Sequence, residues 1–346
     1  MKTRTLVGFG ISVAVVVLIG SYGQVNAQTQ PTVFRATSRA TLSDEMLARV
    51  AKRIVFRAKL SDDMLARAAK LQVYELQPAR VNLQTFNARA KQLFSGELNG
   101  SPVQVNGVIS MVDAEKASNF MMLELRTGYL SFNRGMADQI DDKPGNLPSD
   151  DRAVEIARDF LQKNKLGPGN PREMTLAHIG HIRSASFDPK TGKEGPVRDQ
   201  MLTVYFSRKL DDVPFIGSGS KLIVRIGDGG KVVGGAHRWT EHVHSRGLEK
   251  KDLRSVSELM KDIQTFLSKE MDESERIEIV QFILVYYDNG GKYIQPALAY
   301  EANVIGKELK YAYLGQTALL QWPPERVGPE PVSKEAMRSL KRSSPD

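Results

Sequence analysis

The chain has 346 residues, of which 41% are hydrophobic, a formal net charge of +8 and no cysteine. The lack of cysteine excludes a lipoprotein anchor, disulfides, thiolate catalysis and cysteine-based zinc sites. The length predicts two or three domains, and the hydrophobic content is sufficient to form a hydrophobic core in each.

The N-terminus has the pattern of a secretory signal. Lys2 and Arg4 form a positive start, Leu6–Gly20 is uncharged and mostly apolar, and Val25–Ala27 places small residues where signal peptidase needs them. The apolar run is shorter than the ~20 residues that cross a bilayer, so we predict cleavage after Ala27 rather than a retained anchor. No later segment is apolar enough to cross a membrane. The mature protein is therefore predicted to be secreted or periplasmic and not integral to the membrane.

A repeat follows the signal. Leu42–Lys52 recurs as Leu60–Lys70, and each copy begins with a serine N-cap and two acidic residues, which favour the start of a helix. Between Phe34 and Lys91 there are twelve basic and five acidic residues. The segment is predicted to be a basic helical arm, whose charge serves either as a solvated face or as an attraction for anionic surfaces.

The rest of the chain shows one pattern three times, a helix followed by strands. Helices are predicted over Leu83–Phe94, from Ser149 to the Gly167–Gly169 stop signal, and over Val256–Lys269. Hairpin turns are predicted at Gly227-Asp228-Gly229-Gly230 and Asp288-Asn289-Gly290-Gly291. Runs of β-branched and aromatic residues predict strands over Val103–Val112, Phe120–Arg126, Tyr129–Phe132, Met174–Ile182, Leu202–Ser207, Leu222–Ile226, Lys231–Val233, Ile277–Tyr287, Tyr293–Asn303 and Leu309–Leu314.

These elements predict an α+β fold of tandem units, each with one helix packed on a small antiparallel sheet, preceded by a short helical arm. The predicted segments are a signal peptide over 1–27, the basic arm over 28–75, α+β units over 76–146, 147–247 and 248–322, and a disordered tail over 323–346.

Four segments carry a resemblance to a known superfamily. Leu147–Leu161 is similar to an opening helix, Phe206–Gly217 to an "R-x-x-x-G-V-P-V-x-G" strand and bulge, Val224–Val233 to a "V-x-V-D-x-x-G-x-V" hairpin, and Tyr293–Tyr300 to a "Y-L-x-P-V-Y" strand. These motifs are those of the PepSY and FTP (fungalysin/thermolysin propeptide) superfamily. Asp212 stands where that superfamily usually has glycine.

The resemblance implies a cystatin-like helix laid across an antiparallel sheet. In secreted metalloproteases such modules precede the catalytic domain, assist its folding and inhibit it. This chain has no His-Glu-x-x-His, no Gly-x-Ser-x-Gly and no phosphate loop. The resemblance therefore implies a secreted, non-catalytic binding module, an inhibitor or folding chaperone of a secreted protease. We expect it to dock by an open sheet edge, as in strand addition.

Two other functions compete with this one. The first is an envelope or cell-surface adhesion protein that binds anionic polymer or lipid through the basic arm. The second is a metal-dependent enzyme built on His237, His242 and His244, of which the last two, being two apart on a strand, are expected to share a face. His178 and His181, three apart, are expected on opposite faces. Because no fourth ligand is evident, we assign no metal, cofactor or catalytic residue.

Carboxylates and aromatic residues give no firmer site. The adjacent pairs Asp141-Asp142, Asp150-Asp151 and Asp211-Asp212 are interpreted as turns and caps rather than as a glycosidase couple. Basic and aromatic residues do occur together, but the export signal argues against a nucleic-acid partner. Aromatic residues of the second and third units form either ligand surfaces or half-buried strands; they are Tyr205, Phe206, Phe215, Trp239, Tyr286, Tyr287, Tyr293, Tyr300, Tyr311 and Tyr313.

Overall fold

The computed structural model describes residues 53–140, 145–188, 193–271, 275–306 and 310–327. Strands make up 42% of the described residues and helices 24%, and 15 strands join in one mixed sheet. The predicted signal, the first copy of the repeat, Asp141-Asp142 and the tail from residue 328 lie outside the described residues.

Four helices lie in the described part of the chain: α1 (Asp62–Ala68), α2 (Leu83–Phe94), α3 (Asp150–Lys163) and α4 (Val256–Glu270). The strands are β1 (Ile54–Phe56), β2 (Gln72–Leu76), β3 (Val103–Val105), β4 (Val108–Val112), β5 (Phe120–Glu124), β6 (Leu130–Asn133), β7 (Met174–Ser184), β8 (Phe187–Asp188), β9 (Lys193–Glu194), β10 (Arg198–Leu210), β11 (Val213–Ile216), β12 (Lys221–Ile226), β13 (Val232–Arg238), β14 (His242–Gly247), β15 (Arg276–Tyr287), β16 (Tyr293–Ile305) and β17 (Lys310–Ala318).

Each helix begins where a polar side chain caps it. Ser61, Asn82, Ser149 and Ser255 each accept a hydrogen bond from a backbone amide in the first turn of their helix. Ser255 also forms a capping box with Glu258. The helix predicted from the second copy of the repeat, with its serine cap, is therefore confirmed as α1.

The first core belongs to eight antiparallel strands in the order β7-β10-β12-β13-β6-β5-β4-β3. Alternate side chains of β10 (Leu202, Val204 and Phe206) enter this core, as alternation along a strand requires. Helices α2 and α3 pack on it through Phe86, Leu93, Ala153, Ala157 and Leu161.

The second core surrounds the β15–β16 hairpin. β17 lies along the C-terminal part of β16, while β2, paired with β14, lies along its start. β1 and β11 both run parallel to β15, one near its beginning and the other at its end. Helix α4 packs here through Leu259, Ile263 and Leu267. None of the helices in the described ranges is both long enough and apolar enough to cross a membrane.

The predicted fold class, tandem units of one helix on a small antiparallel sheet behind a helical arm, is wrong. Strands of different predicted units pair with one another: Gly235 of β13 lies opposite Phe132 of β6, and Phe215 of β11 opposite Tyr286 of β15. The predicted arm also contains the strand β2 (Gln72–Leu76). Because an unpaired edge exposes backbone donors and acceptors, joining the small sheets into one mixed sheet satisfies groups that separate units would leave open.

Asp288, just beyond β15, connects the two cores. Its carboxylate accepts hydrogen bonds from the Ser220 hydroxyl at 2.6 Å and from the Gly290 amide at 2.8 Å. Its amide donates to the Ile216 carbonyl at 3.0 Å, and its carbonyl accepts from the Gly219 amide at 2.8 Å. The loop after β11 and the β15–β16 turn are thereby held together by one almost fully buried residue.

The buried guanidinium of Arg208 extends this connection into the first core. It donates to the Ser220 hydroxyl at 3.3 Å and to the Thr240 carbonyl at 2.9 Å. Its Nε lies 3.2 Å from a Glu173 carboxylate oxygen, and its carbon Cζ lies 4.2 Å from the centre of the Trp239 ring. Burial lowers the pKa of Arg208, and the negative charges of Glu173, Glu241 and Asp288 oppose that shift.

Asp288→Ala is expected to lower the free energy of unfolding by about 2–4 kcal/mol, because it leaves buried donors, including Ser220, without their charged acceptor. Urea denaturation followed by circular dichroism measures the change. Asp159→Ala, at an exposed position of α3, is the matched control and should change stability by less than about 0.5 kcal/mol. Equal effects of the two variants would contradict the role given to Asp288.

Candidate functional site

An open strand edge lies at β17. In the described part of the chain β17 pairs only with β16, from Ala318 opposite Ala297 to Lys310 opposite Ile305. Its other edge presents backbone amide and carbonyl groups to the surroundings. Leu314 is 59% exposed and Tyr311 39% exposed, so both can contact an added strand.

The sequence of β17 does not block this edge. Natural edge strands discourage pairing by being short, or by carrying charged residues or proline. β1 and β3 have three residues each, and the eleven-residue edge strand β7 carries Arg183 and two histidines. Over Tyr311–Ala318 there is no charged residue and no proline. Among these edge strands, β17 is therefore the one best suited to accept another strand.

A groove of about 790 Å³ runs beside β17. The C-terminal part of β17 lines it, together with the segment Pro323–Val327 and the buried ring of Tyr300. The groove is therefore bounded by a helix and by an open strand. The other wall is formed by α4 and the residue Arg254 just before it. It carries side chains of both charges and one aromatic ring: Arg254, Glu258, Asp262, Phe266, Lys269 and Glu270.

Tyr300 brings a hydroxyl to the base of this groove. Its side chain is fully buried, yet its hydroxyl has no hydrogen-bond partner among the described residues. Tyr300 lies opposite Gly315, and a Cβ at position 315 would lie 2.2 Å from ring carbon Cζ and 2.4 Å from the hydroxyl oxygen. Residue 315 must therefore be glycine, because a larger side chain would overlap the Tyr300 ring where that ring crosses β17.

One side-chain hydrogen bond fixes the distance between α4 and β17. The Thr317 hydroxyl donates to the Asp262 carboxylate at 2.9 Å, and that carboxylate also accepts from Arg254 at 2.9 Å. Burial, with smaller contributions from Tyr313 and Asp262, raises the pKa of Tyr300, so its phenol is neutral at physiological pH. The groove therefore offers a neutral donor between charged walls.

The five histidines do not come together. His178 stacks on Tyr205 with ring centres 4.1 Å apart, while His181 lies on the other face of the sheet, 3.2 Å from an Asp199 oxygen. The three-residue spacing predicted this separation. Over the ranges that the structure describes, no group of three or more histidine, aspartate or glutamate side chains is placed to hold a metal ion.

His242 and His244 do not share a face, and that expectation is wrong. A bulge in β14 places His242 opposite Leu76 and His244 opposite the adjacent Glu75. A shift of one residue reverses the direction of a side chain. The His242 ring packs against Tyr74, with centres 4.9 Å apart, and its Nε2 lies 3.6 Å from Glu173. His244 is exposed.

His237 is held in β13, opposite Leu222 on one side and Leu130 on the other. Burial of its ring, with the positive charge of Arg89 as the next cause, lowers its pKa to about 4. The imidazole is therefore neutral near pH 7, although part of the residue remains exposed. His237 is therefore a half-buried strand residue between two leucines.

The two carboxylate pairs that the structure describes lie at a helix start and in a turn, as predicted. Asp150-Asp151 begins α3, and Asp211-Asp212 forms the two-residue turn between β10 and β11 with φ of 51° and 58°. The Asp211 carboxylate accepts hydrogen bonds from the hydroxyls of Tyr74 at 3.0 Å and Tyr286 at 2.9 Å. Asp212 occupies a backbone region that favours glycine, the residue usual there in the PepSY/FTP motif.

The aromatic residues divide between core and edge. Phe206 and Trp239 are buried, and Phe215 packs on the second core, so no ligand surface forms from them. Tyr311 and Tyr313 share one face of β17, as predicted. The sequence places Tyr300 among the tyrosines of the third unit but does not reveal that its ring crosses β17 beside a groove. The signal that could have revealed it is a glycine inside a strand, which marks close approach of another group.

Comparisons with known proteins give no function. No family model and no curated protein matches the chain. It is similar to the crystal structure of an uncharacterized protein from Eubacterium rectale, with a TM-score of 0.41 and 12% sequence identity, over 74% of this chain and 85% of that one. At this level the likeness carries no argument, and the PepSY/FTP resemblance stays a prediction.

Gly315→Ala is expected to destabilise the protein by about 1–3 kcal/mol, because the added methyl group overlaps the buried Tyr300 ring. Thermal or urea unfolding measures this. Gly247→Ala is the control, since a Cβ at that strand position meets nothing within 4 Å. If both variants are equally stable, the Tyr300 ring does not lie against Gly315.

His237→Gln is expected to reduce acid sensitivity. The folded pKa of about 4 lies below the unfolded value of 6.5, so the unfolded state binds the proton first and stability falls as pH drops below about 6.5. Because the residue is partly exposed, we expect wild type to lose only about 1 kcal/mol more than the variant between pH 7.5 and pH 5. Urea titrations at the two pH values give the difference, and parallel losses would contradict the lowered pKa.

Proposed function

We propose that this protein is a non-catalytic binding protein that captures an extended segment of a protein partner by strand addition at β17. The observation that carries the proposal is the open edge of β17 beside the groove under α4. An added strand gains backbone hydrogen bonds from the edge, while the groove receives alternate side chains.

The chemistry of the groove supports a peptide rather than a compact small molecule. The groove runs along α4 from Glu258 to Glu270 and meets β17 at Gln316–Ala318, and its walls carry charges of both signs. An extended chain offers a repeating backbone and varied side chains, which match such a surface. A lipid surface would find neither a continuous apolar face nor charges of one sign in this groove.

A finer proposal concerns the partner. The PepSY/FTP resemblance supports a segment of a secreted protease as the occupant, with this protein exported as its inhibitor or folding chaperone. Assays with proteases secreted by the same organism should then show inhibition at micromolar protein. If none is inhibited or refolded, the finer proposal fails, while strand addition to another partner still stands.

The strand-addition proposal is tested with a random decapeptide display library on the full-length protein. Peptides selected by wild type should bind the Ala312→Lys/Leu314→Lys variant at least about tenfold more weakly, because charged residues on an edge strand discourage pairing. Fluorescence anisotropy measures the affinity. Both positions are exposed, so the fold should tolerate lysine.

Leu176→Lys/Ala177→Lys on β7 is the matched control, since it adds the same charge to another exposed edge strand. It should bind the peptides like wild type. Equal weakening by both variants, or no selected peptide, would contradict the proposal. So would a wild-type dimer in analytical ultracentrifugation that the β17 lysines dissociate, since a second copy would then be the occupant.

A further inference from the structure

The Tyr300 hydroxyl occupies an unusual place for a core tyrosine. It lies 2.4 Å from the point where a Cβ of residue 315 would be. The hydroxyl therefore occupies the space on the edge strand that a side chain at position 315 would fill. It is fully buried, lines the groove and has no partner among the described residues. A buried donor without an acceptor is costly, which points to an acceptor supplied from outside the chain.

The geometry of strand addition says where that acceptor would come from. Directly opposed residues on paired strands have Cβ atoms about 4.5–5.5 Å apart. The residue of the added strand opposite Gly315 would therefore place its side chain beside the Tyr300 hydroxyl. A hydroxyl hydrogen bond spans about 2.7–2.8 Å, so a short polar side chain can close the gap.

The charges around this point limit which polar side chain fits. Asp262 is fixed by Thr317, two residues along the same face of β17, and its charge acts on Tyr300. A carboxylate opposite Gly315 would meet that like charge. The bond from Arg254 partly neutralises the Asp262 carboxylate, which weakens its attraction for an incoming cation and reduces its repulsion of an incoming carboxylate. A neutral amide, which can accept from the hydroxyl without adding charge, suits the position best.

Resting on the proposed strand addition, we infer that Tyr300 is a specificity-determining residue that selects an asparagine or glutamine opposite Gly315 in the bound segment. The side chain of that residue accepts a hydrogen bond from the Tyr300 hydroxyl. Leucine at the same place would leave the hydroxyl unpaired, and aspartate would face Asp262.

The test uses the same decapeptide library, selected in parallel on wild type and Tyr300→Phe. Wild type should enrich asparagine or glutamine at one fixed position, and a peptide with asparagine there should bind about 3- to 10-fold more tightly than its leucine or aspartate versions. Tyr300→Phe keeps the ring and should lose the preference, with the asparagine and leucine peptides binding within about twofold of each other.

One further measurement and the outcomes of the selection separate this inference from its alternatives. The thermal midpoint of Tyr300→Phe should be no lower than that of wild type, since the removed hydroxyl has no partner within the protein. If peptides bind at β17 but Tyr300→Phe keeps the same preference, this inference fails while the proposed function stands. If wild type selects no peptide, both fail together.

Discussion

The carboxylate of Asp288 is the contact on which the arrangement of the two cores depends. It closes the turn between β15 and β16 and at the same time accepts a hydrogen bond from Ser220, whose hydroxyl is in turn bonded to Arg208. The parallel pairing of β11 with β15 involves only Phe215 and Ile216 opposite two tyrosines. Two paired residues fix an orientation weakly, so buried polar contacts with directional geometry supply the rest.

The β15–β16 hairpin connects the Asp288 junction to the candidate site, so the orientation of the two cores also sets the position of β17. The β15–β16 hairpin leaves the Asp288 junction and carries β17 on its far side. Helix α4 packs on the same core, and the bond from Thr317 to Asp262 sets the width of the groove. The polar contacts at Asp288 thus place the hairpin, and the apolar second core holds α4 beside the open edge of β17.

The helices and several turns could be predicted from the sequence because their signals are local. A serine or asparagine cap starts each helix, and Gly229, Gly230 and Gly290 adopt the positive φ that their turns need. The pairing of β6 with β13 and of β1 with β15 could not, since alternation shows which face of a strand is buried but not which strand lies beside it. The bulge at His242 could not be predicted for the same reason, because it lies in the pairing of β14 with β2. At the candidate site, the shared face of Tyr311 and Tyr313 on β17 was predictable. The place of Tyr300 in the groove was not, because it depends on which strand lies beside β16.

The parallel pairing of β1 with β15 has a consequence for biosynthesis. Ile54 lies opposite Ile277, so a strand made early finds its neighbour only after more than 200 further residues have been added. At about 5–20 residues per second, the ribosome needs roughly 10–40 s for that length. Throughout this interval the first apolar strand is exposed without its neighbour, and the second core cannot close until its own C-terminal hairpin has been translated.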